Sequence, residues 1–255
     1  MSIKEFKHAV LCRDLTASLI YAQGIEDVNT IYAELDYCTP LTYSIVMSMY
    51  ELTNALVAMG ADVNTSDRNA SPLQYSVMCR SLDNARLLLN NGAKASLMWR
   101  DPLTSEDREN VVPLAELMLN RGAHVNEQNA TGDTPIKMAV HSCCLPLVEF
   151  LIEKGADLHL WKDDGMNLVH LASILGHSEL IPVLHRQGIS VNEQDKDGYT
   201  PLHHACDYDE VETVKVLLEL GARANIRTRH GHLPYELNSN DTIRALLKQS
   251  VRDVV

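Results

Sequence analysis

Short amphipathic stretches follow one another along this chain, and they come in pairs. The apolar spacing over residues 40–48 and 51–59 predicts two helices, and residues 72–80 and 83–90 repeat the pattern. After each pair the chain reaches a glycine, and a polar stretch then leads to the next pair. This order predicts a chain of consecutive helix pairs with polar connections.

Two markers set the period of these pairs. The glycines that follow the second helices are spaced by 32, 30, 33, 33 and 33 residues: Gly60, Gly92, Gly122, Gly155, Gly188 and Gly221. The residues that open the first helices keep the same period: Pro40, Pro72, Pro102, Pro135, Leu168, Pro201 and Pro234. Two markers with one period predict a stack of similar units. Such a stack offers a long binding surface and usually no catalytic pocket.

The residues between the markers carry a motif. The clearest copy runs Gly198-Tyr199-Thr200-Pro201-Leu202-His203-His204-Ala205, and its second helix ends at Gly221-Ala222. Shorter copies are Ser71-Pro72-Leu73, Thr134-Pro135-Ile136 and Asn167-Leu168-Val169-His170. Over about residues 25–247 the chain resembles the ankyrin repeat. The resemblance implies an all-α ankyrin-repeat α-solenoid with short β-hairpin arms, about seven repeats and an N-terminal helical cap.

We therefore expect residues 1–255 to form a single ankyrin-repeat domain. Its expected parts are a helical cap at 2–24, repeats at 25–60, 61–92, 93–122 (irregular), 123–155, 156–188 and 189–221, and a C-terminal capping repeat at 222–255.

The motif has local physical reasons. Thr200 is expected to cap the first helix of its repeat, with Pro201 at the first helical position, where a missing N–H costs little. Gly221 is expected to end the second helix in a left-handed conformation.

The third repeat departs from the pattern. Only 10 residues separate Gly92 from Pro102, about three fewer than in regular repeats, and the following helix lacks an apolar face. Residues 96–110 are therefore expected to be flexible or remodelled, with the second helix resuming at Pro113. Trp99 lies in this segment. Its indole is expected either to contact a partner or to fill the gap left by the irregular helix, and the second role is slightly favoured.

Composition limits the classes of partner and the cellular location that we expect. The formal charge is −12 and no run of Lys or Arg occurs, which argues against nucleic acid or an anionic membrane as the main partner. The six scattered cysteines indicate reduced thiols in an intracellular protein. No signal peptide or membrane-spanning segment is evident, and we expect a cytoplasmic location, with the nucleus, or a host cytosol for a secreted effector, as alternatives.

The resemblance also implies where a partner binds. Arm tips and the outer side of the first helices should form a concave wall. The wall residues expected from this are Asp163, Asp164, Met166, Ile174, Leu175, Lys196, Asp197, Tyr199, Asp207, Tyr208 and His141, with Trp99 as a separate candidate. An aromatic and aliphatic centre with a charged rim is typical of protein interfaces. The wall should bind a protein or peptide with an apolar anchor and basic flanks. Alternatively, Ile174 and Leu175 pack on a neighbouring repeat and the acids only solvate the surface.

The sequence gives little support for a catalytic site or a metal site. His203, His204, Cys206 and Asp207 lie close in sequence, but the resemblance gives His203 a structural role, and no second ligand pair follows at zinc spacing. We expect no enzyme activity, no cofactor and no metal. Asn64 lies in a context that resembles the substrates of asparaginyl hydroxylases, which makes it a candidate modification site.

The leading hypothesis is a non-catalytic interaction module that acts as adaptor, inhibitor or targeting subunit and is monomeric when alone. The alternative is a bacterial or parasite effector in which residues 96–110 form a second functional site.

Overall fold

The computed structural model describes residues 3–67, 70–97, 108–159, 164–237 and 240–252. The chain divides into two compact units, the first comprising residues 1–101 and 109–124 and the second residues 102–108 and 125–255. The expectation of a single domain over residues 1–255 stays a prediction.

The first unit consists of consecutive helix pairs. Its helices are α1 (Ile3–Leu11), α2 (Leu15–Gln23), α3 (Pro40–Val46), α4 (Tyr50–Ala58), α5 (Pro72–Met78), α6 (Leu82–Asn90) and α7 (Arg108–Leu119), with a 3-10 helix at Ala33–Leu35. Within each of the first three pairs the two helices pack together, and α3 packs against α5 as α4 does against α6. The core between them contains side chains such as Phe6, Ile45 and Leu88, all 0% exposed.

The second unit repeats this arrangement. Its helices are α8 (Pro135–His141), α9 (Leu145–Glu153), α10 (Leu168–Ile174), α11 (Ile181–Arg186), α12 (Pro201–Asp207), α13 (Val211–Glu219) and α14 (Asp241–Arg252), with a 3-10 helix at Pro234–Glu236. The first helices α8, α10 and α12 pack side by side, and α12 also packs against the 3-10 helix. In each unit, this packing of successive pairs fits an ankyrin solenoid.

Capping residues explain why the first helices begin where they do. The side-chain oxygens of Thr39, Ser71, Thr134, Asn167 and Thr200 each accept a hydrogen bond from a main-chain N–H in the first turn. In four of these five helices the next residue is proline. The predicted roles of Thr200 and Pro201 are confirmed.

Pro113 does not open its helix, although the sequence placed it at the start. Helix α7 begins at Arg108, so that Pro113 is its sixth residue. The equivalent Pro146 lies in the first turn of α9, as expected. A proline this far inside a helix removes the bond to the carbonyl four residues earlier, because only the first four N–H groups of a helix have no intrahelical partner.

The arms contain turns, and the parts of the chain that are described contain no named β-strand. The tips close through main-chain bonds such as Asp195 N–H to the Tyr199 carbonyl at 2.9 Å and Thr228 N–H to the His232 carbonyl at 2.9 Å. One isolated antiparallel bridge joins Tyr32 to Cys38. The predicted β-hairpin arms and the number of repeats are not confirmed. Among the described helices, none has both the length and the apolar character needed to cross a membrane.

Candidate partner-binding surface

The main chain of the arm tip at Asp195–Tyr199 is ordered by the side chain of Asp195. The Asp195 carboxylate accepts hydrogen bonds from the main-chain N–H groups of Asp197 at 3.0 Å and Tyr199 at 2.8 Å. The Gly198 N–H donates to the Asp195 carbonyl at 3.0 Å. Lys196 and Asp197 are exposed on this turn. A partner would therefore meet these two side chains on a main chain that is already ordered.

Neighbouring tips are joined through the main chain. The Lys196 N–H donates to the Asp164 carbonyl at 3.1 Å, and the Arg229 N–H donates to the Asp197 carbonyl at 2.9 Å. Gly198 permits the second contact, because a Cβ built there would lie only 2.7 Å from the Arg229 nitrogen. We call Asp164, Lys196, Asp197 and Arg229 the tip row.

Tyr199 lies between the tip row and α12 and is half-buried. Its ring centroid lies 5.2 Å from that of His204 and 5.7 Å from that of His203. His204 Nε2 in turn lies 2.8 Å from Asp195 Oδ2. Tyr199 therefore packs within its own repeat, and only part of its ring is available to a partner.

His170 and His203 are structural, as the resemblance implied for His203. Nδ1 of His203 accepts a hydrogen bond from the Thr200 N–H at 3.1 Å, and its Nε2 lies 3.2 Å from the His232 carbonyl. His170 bonds in the same way to Asn167 and to the Tyr199 carbonyl. Burial, followed by the nearby His204, lowers the pKa of His170 to about 4, and burial also lowers the pKa of His203. Both rings are thus neutral and use both nitrogens within the fold.

A second line of residues, exposed or half-buried, lies where the first helices end. In α8, α10 and α12 the last residue and the residue after it are His141-Ser142, Ile174-Leu175 and Asp207-Tyr208. We call these six residues the helix-end row of the second unit. Tyr208 is 55% exposed, whereas Ile174 and Leu175 are half-buried.

The turns that follow this row also join neighbouring repeats. His177 Nε2 lies 3.2 Å from the His141 carbonyl. The Glu210 carboxylate lies against Gly176, where a Cβ would overlap it. The Asn240 amide donates to the Asp209 carboxylate at 2.9 Å. These contacts join the turns beside the row from α8 to the start of α14. The surface is acidic at Asp207, Asp209 and Glu210.

Cys206 lies next to this row and is buried. Burial and the neighbouring negative charge of Asp207 raise the pKa of Cys206 to about 12, so its thiol stays protonated. No group of three or more His, Cys, Asp or Glu side chains in the described residues could hold a metal ion. All six cysteines are thiols.

The remaining predicted residues have different positions. Met166 is half-buried beside Asp164, whose carboxylate accepts its N–H at 3.2 Å. Trp99 and Asp163 lie outside the described residues, as does most of the segment 96–110. The partner-binding roles expected of Trp99 and Asp163 stay predictions.

Asn64 joins two repeats of the first unit. Its amide donates to the Gly92 carbonyl at 3.1 Å, and its Oδ1 accepts from the Lys94 N–H at 2.9 Å. Asn126 and Asn192 make the equivalent pairs of bonds in the second unit. Modification of Asn64 stays a prediction, at a side chain that already has this structural role.

Sequence reasoning missed the corresponding residues of the first unit. The last residues of α1, α3 and α5 are Leu11, Val46 and Met78, with exposures of 56%, 37% and 48%. The signal was available, because Val46 and Met78 stand one repeat apart and precede Ile174 by whole repeats.

Comparison with known proteins agrees with this geometry. A family model described as ankyrin repeats (3 copies) matches residues 157–228, and the single ankyrin repeat model matches residues 131–163. No curated protein matches the chain. The matched residues include α8 to α13, the helix-end row of the second unit and the tip row as far as Asp197. These matches assign residues 131–228 to the ankyrin repeat family.

Proposed function

We propose that the second unit binds a partner protein or peptide through its tip row and helix-end row. Ankyrin repeats generally mediate protein–protein interactions, and proteins built from them are generally non-catalytic interaction modules. The observation that carries the proposal is Tyr208, an aromatic side chain 55% exposed between two exposed carboxylates, Asp207 and Asp209. Leu175 lies at the same position one repeat earlier, next to Ile174.

The partner proposed for this surface has an apolar anchor and basic flanks. Tyr208 with the half-buried Ile174 and Leu175 provides apolar contact area, while Asp207, Asp209 and Asp197 supply negative charge at the rim. Exposed rim charges of this kind mainly speed association and select against acidic partners, whereas the apolar centre contributes most of the affinity.

Preorganisation supports the same surface. The tips are ordered by Asp195 and joined through the main chain at Asp164 and Asp197. Binding therefore orders little of the second unit, and the entropic cost of association falls mainly on the partner. In the cell, such binding would make the protein an adaptor, an inhibitor or a targeting subunit, without chemistry of its own.

The test is an affinity pull-down with the purified chain, followed by titration of the captured partner. The double variant Ile174→Asp with Tyr208→Ala should weaken binding at least about tenfold. Loss of a single hot-spot side chain already has an effect of about this size. Asp207→Lys changes only an exposed residue and should slow association and reduce its salt dependence. Tyr50→Ala, at a 40% exposed tyrosine of α4, is the control. Unchanged affinity in the double variant would exclude this surface.

A further inference from the structure

The helix-end row of the second unit differs in chemistry from one end to the other. From the last residue of each first helix onward, the four side chains are His141-Ser142-Cys143-Cys144 after α8, Ile174-Leu175-Gly176-His177 after α10 and Asp207-Tyr208-Asp209-Glu210 after α12. Carboxylates occur only in the third set. The row therefore changes from polar side chains at α8, through apolar ones at α10, to a tyrosine among acids at α12.

This order along the chain is also the order in space. Helix α10 packs against α8 on one side and against α12 on the other. The turns are joined as well, by His177 Nε2 at 3.2 Å from the His141 carbonyl and by the Glu210 carboxylate against Gly176. Axes of packed helices lie about 8–10 Å apart, so the acidic end lies about 16–20 Å from the α8 end.

The acidic end has an excess of negative charge. Residues 197–214 contain no Lys or Arg. The turn after α12 meets the start of α14, where the neutral amide of Asn240 donates to the Asp209 carboxylate at 2.9 Å. The carboxylates of this end are Asp207, Asp209, Glu210 and Asp241.

The cations on the neighbouring helices offset only part of this charge. Lys215 of α13 pairs with Glu212 of the same helix at 2.9 Å. Arg244, one turn into α14, is exposed and supplies a single positive charge against the four carboxylates. The net charge of these groups is therefore negative.

The α8 end is closer to neutral. Lys137, one turn before His141, forms an ion pair with Asp133 at 2.8 Å. The Glu179 carboxylate accepts a hydrogen bond from the Cys143 thiol at 3.5 Å. Glu179 is then the one carboxylate among these groups that has no cation beside it in the ion pair. A basic flank of a partner is therefore attracted mainly to the α12 end.

The spacing of the row indicates the form of the occupant. Leu175 and Tyr208 hold the same position on adjacent packed helices, about 8–10 Å apart. An α-helix advances about 10 Å in seven residues and returns to the same face. An extended chain covers a similar distance in three residues, but these side chains alternate between its faces. A helix with apolar residues seven positions apart can contact both side chains, and its next turn then reaches the acids.

We propose that the partner of the second unit is an amphipathic helix with two apolar residues about seven positions apart and basic residues on one side of them only. It binds in one orientation, with the basic end at α12. The inference rests on the proposed function and replaces its two basic flanks by one. The reverse orientation would place the basic residues beside His141 and Ser142, where the row has no carboxylate.

The test uses three labelled helical peptides of equal length, each with two leucines seven positions apart. Lysines follow only the C-terminal leucine in the first peptide and flank both leucines in the second, and the third has glutamines instead. Each is titrated with the full-length protein at pH 7.5 and low ionic strength by fluorescence anisotropy. The first peptide should bind about fivefold or more tightly than the third, and the second within about threefold of the first.

The outcomes separate this inference from the proposed function. A larger advantage of the two-sided lysine peptide would overturn the single basic flank and support the two flanks of the proposed function. Equal binding of the first and third peptides would overturn it as well. No saturable binding by any of the three would contradict both proposals.

Variants then locate the basic end. Asp207→Asn with Asp209→Asn removes two carboxylates with little change of shape and should bring the first peptide close to the third. His141→Asp adds a carboxylate to the α8 end and should strengthen the two-sided peptide by about twofold or more, without affecting the first peptide. Asn54→Asp adds the same charge at an exposed position of α4 and is the matched control. No gain with His141→Asp, or an equal gain with Asn54→Asp, would contradict the orientation.

Discussion

The main-chain N–H of Arg229 donates a hydrogen bond of 2.9 Å to the carbonyl of Asp197, which joins two arm tips one repeat apart. Gly198 lies at the crossing with a φ of +83°. Here glycine is needed both for the main-chain conformation and for the close approach of the next tip. The shape of the tip row thus depends on a residue with no side chain.

Gly198→Ala should therefore destabilise the protein by about 2–4 kcal/mol, as the strain of a left-handed alanine adds to the overlap with Arg229. Gly231→Ala is the matched control. Its φ is +85°, but nothing lies within 4 Å of the added Cβ, so only the conformational strain of about 1–2 kcal/mol is expected. Urea unfolding of both variants measures the difference, and equal losses would show that the tips tolerate the overlap.

Acid should weaken the second unit through His170. The pKa of His170 is about 4 when folded, against an ordinary value of 6.5, because burial disfavours its charged form and the nearby His204 adds to the shift. The unfolded chain therefore binds the proton more readily. The stabilisation is complete above about pH 6.5 and is lost as the pH falls towards 4, by about 2 kcal/mol at pH 5.

Unfolding free energies measured at pH 7.5 and pH 5 test this expectation. His170→Gln keeps an amide that can bond to the Tyr199 carbonyl but removes the titration. The variant should be less stable at pH 7.5 and show a shallower loss on acidification. A slope identical to that of the unchanged protein would mean that another group causes the pH dependence.

Ser48 holds the left-handed turn position between α3 and α4 at a φ of +56°, where Gly176 stands in the second unit. Ser48 is exposed. Ser48→Gly should stabilise the protein by about 0.5–1 kcal/mol, because relief of the left-handed strain outweighs the added freedom of the unfolded chain. Ser48→Val should have the opposite effect, since a β-branched residue tolerates a positive φ least. Thermal unfolding of the pair gives the sign directly.

Asn64 should contribute through its two bonds between repeats. Asn64→Ala removes the contacts with Gly92 and Lys94 and should cost about 1–2 kcal/mol. Asn54→Ala, at an exposed position of α4, is the control and should be neutral or slightly stabilising, because alanine is the better helix former. If both variants unfold at the same urea concentration, the bonds of Asn64 make no net contribution.

The helix pairs could be predicted because their signals are local. N-caps such as Thr200, the prolines after them and the glycines after the second helices act within a few residues of their own positions. The alignment of Pro113 with Pro146 predicts a helix start there, but α7 begins five residues earlier at Arg108.

The candidate surface was predicted only in outline. The motif indicated that Tyr208 and Leu175 share one position in successive repeats. The structure brings their turns together through Gly176 and Glu210. The motif did not indicate that Tyr199 packs against His203 and His204. It also did not indicate that Leu11, Val46 and Met78 are exposed. Burial depends on what the next repeat places against a side chain, and a periodic motif does not specify that contact.

The amino-acid sequence alone determined the repeat, the helix pairs and the family, because capping, turn geometry and helical periodicity are properties of short segments. The tertiary structure decided which members of each row are exposed and how the tips are joined. It also decided that His170 is held neutral. These properties depend on contacts between residues about 30 positions apart in the chain. Packing removes water from these contacts and brings main-chain groups together, and no pattern within a short segment specifies them.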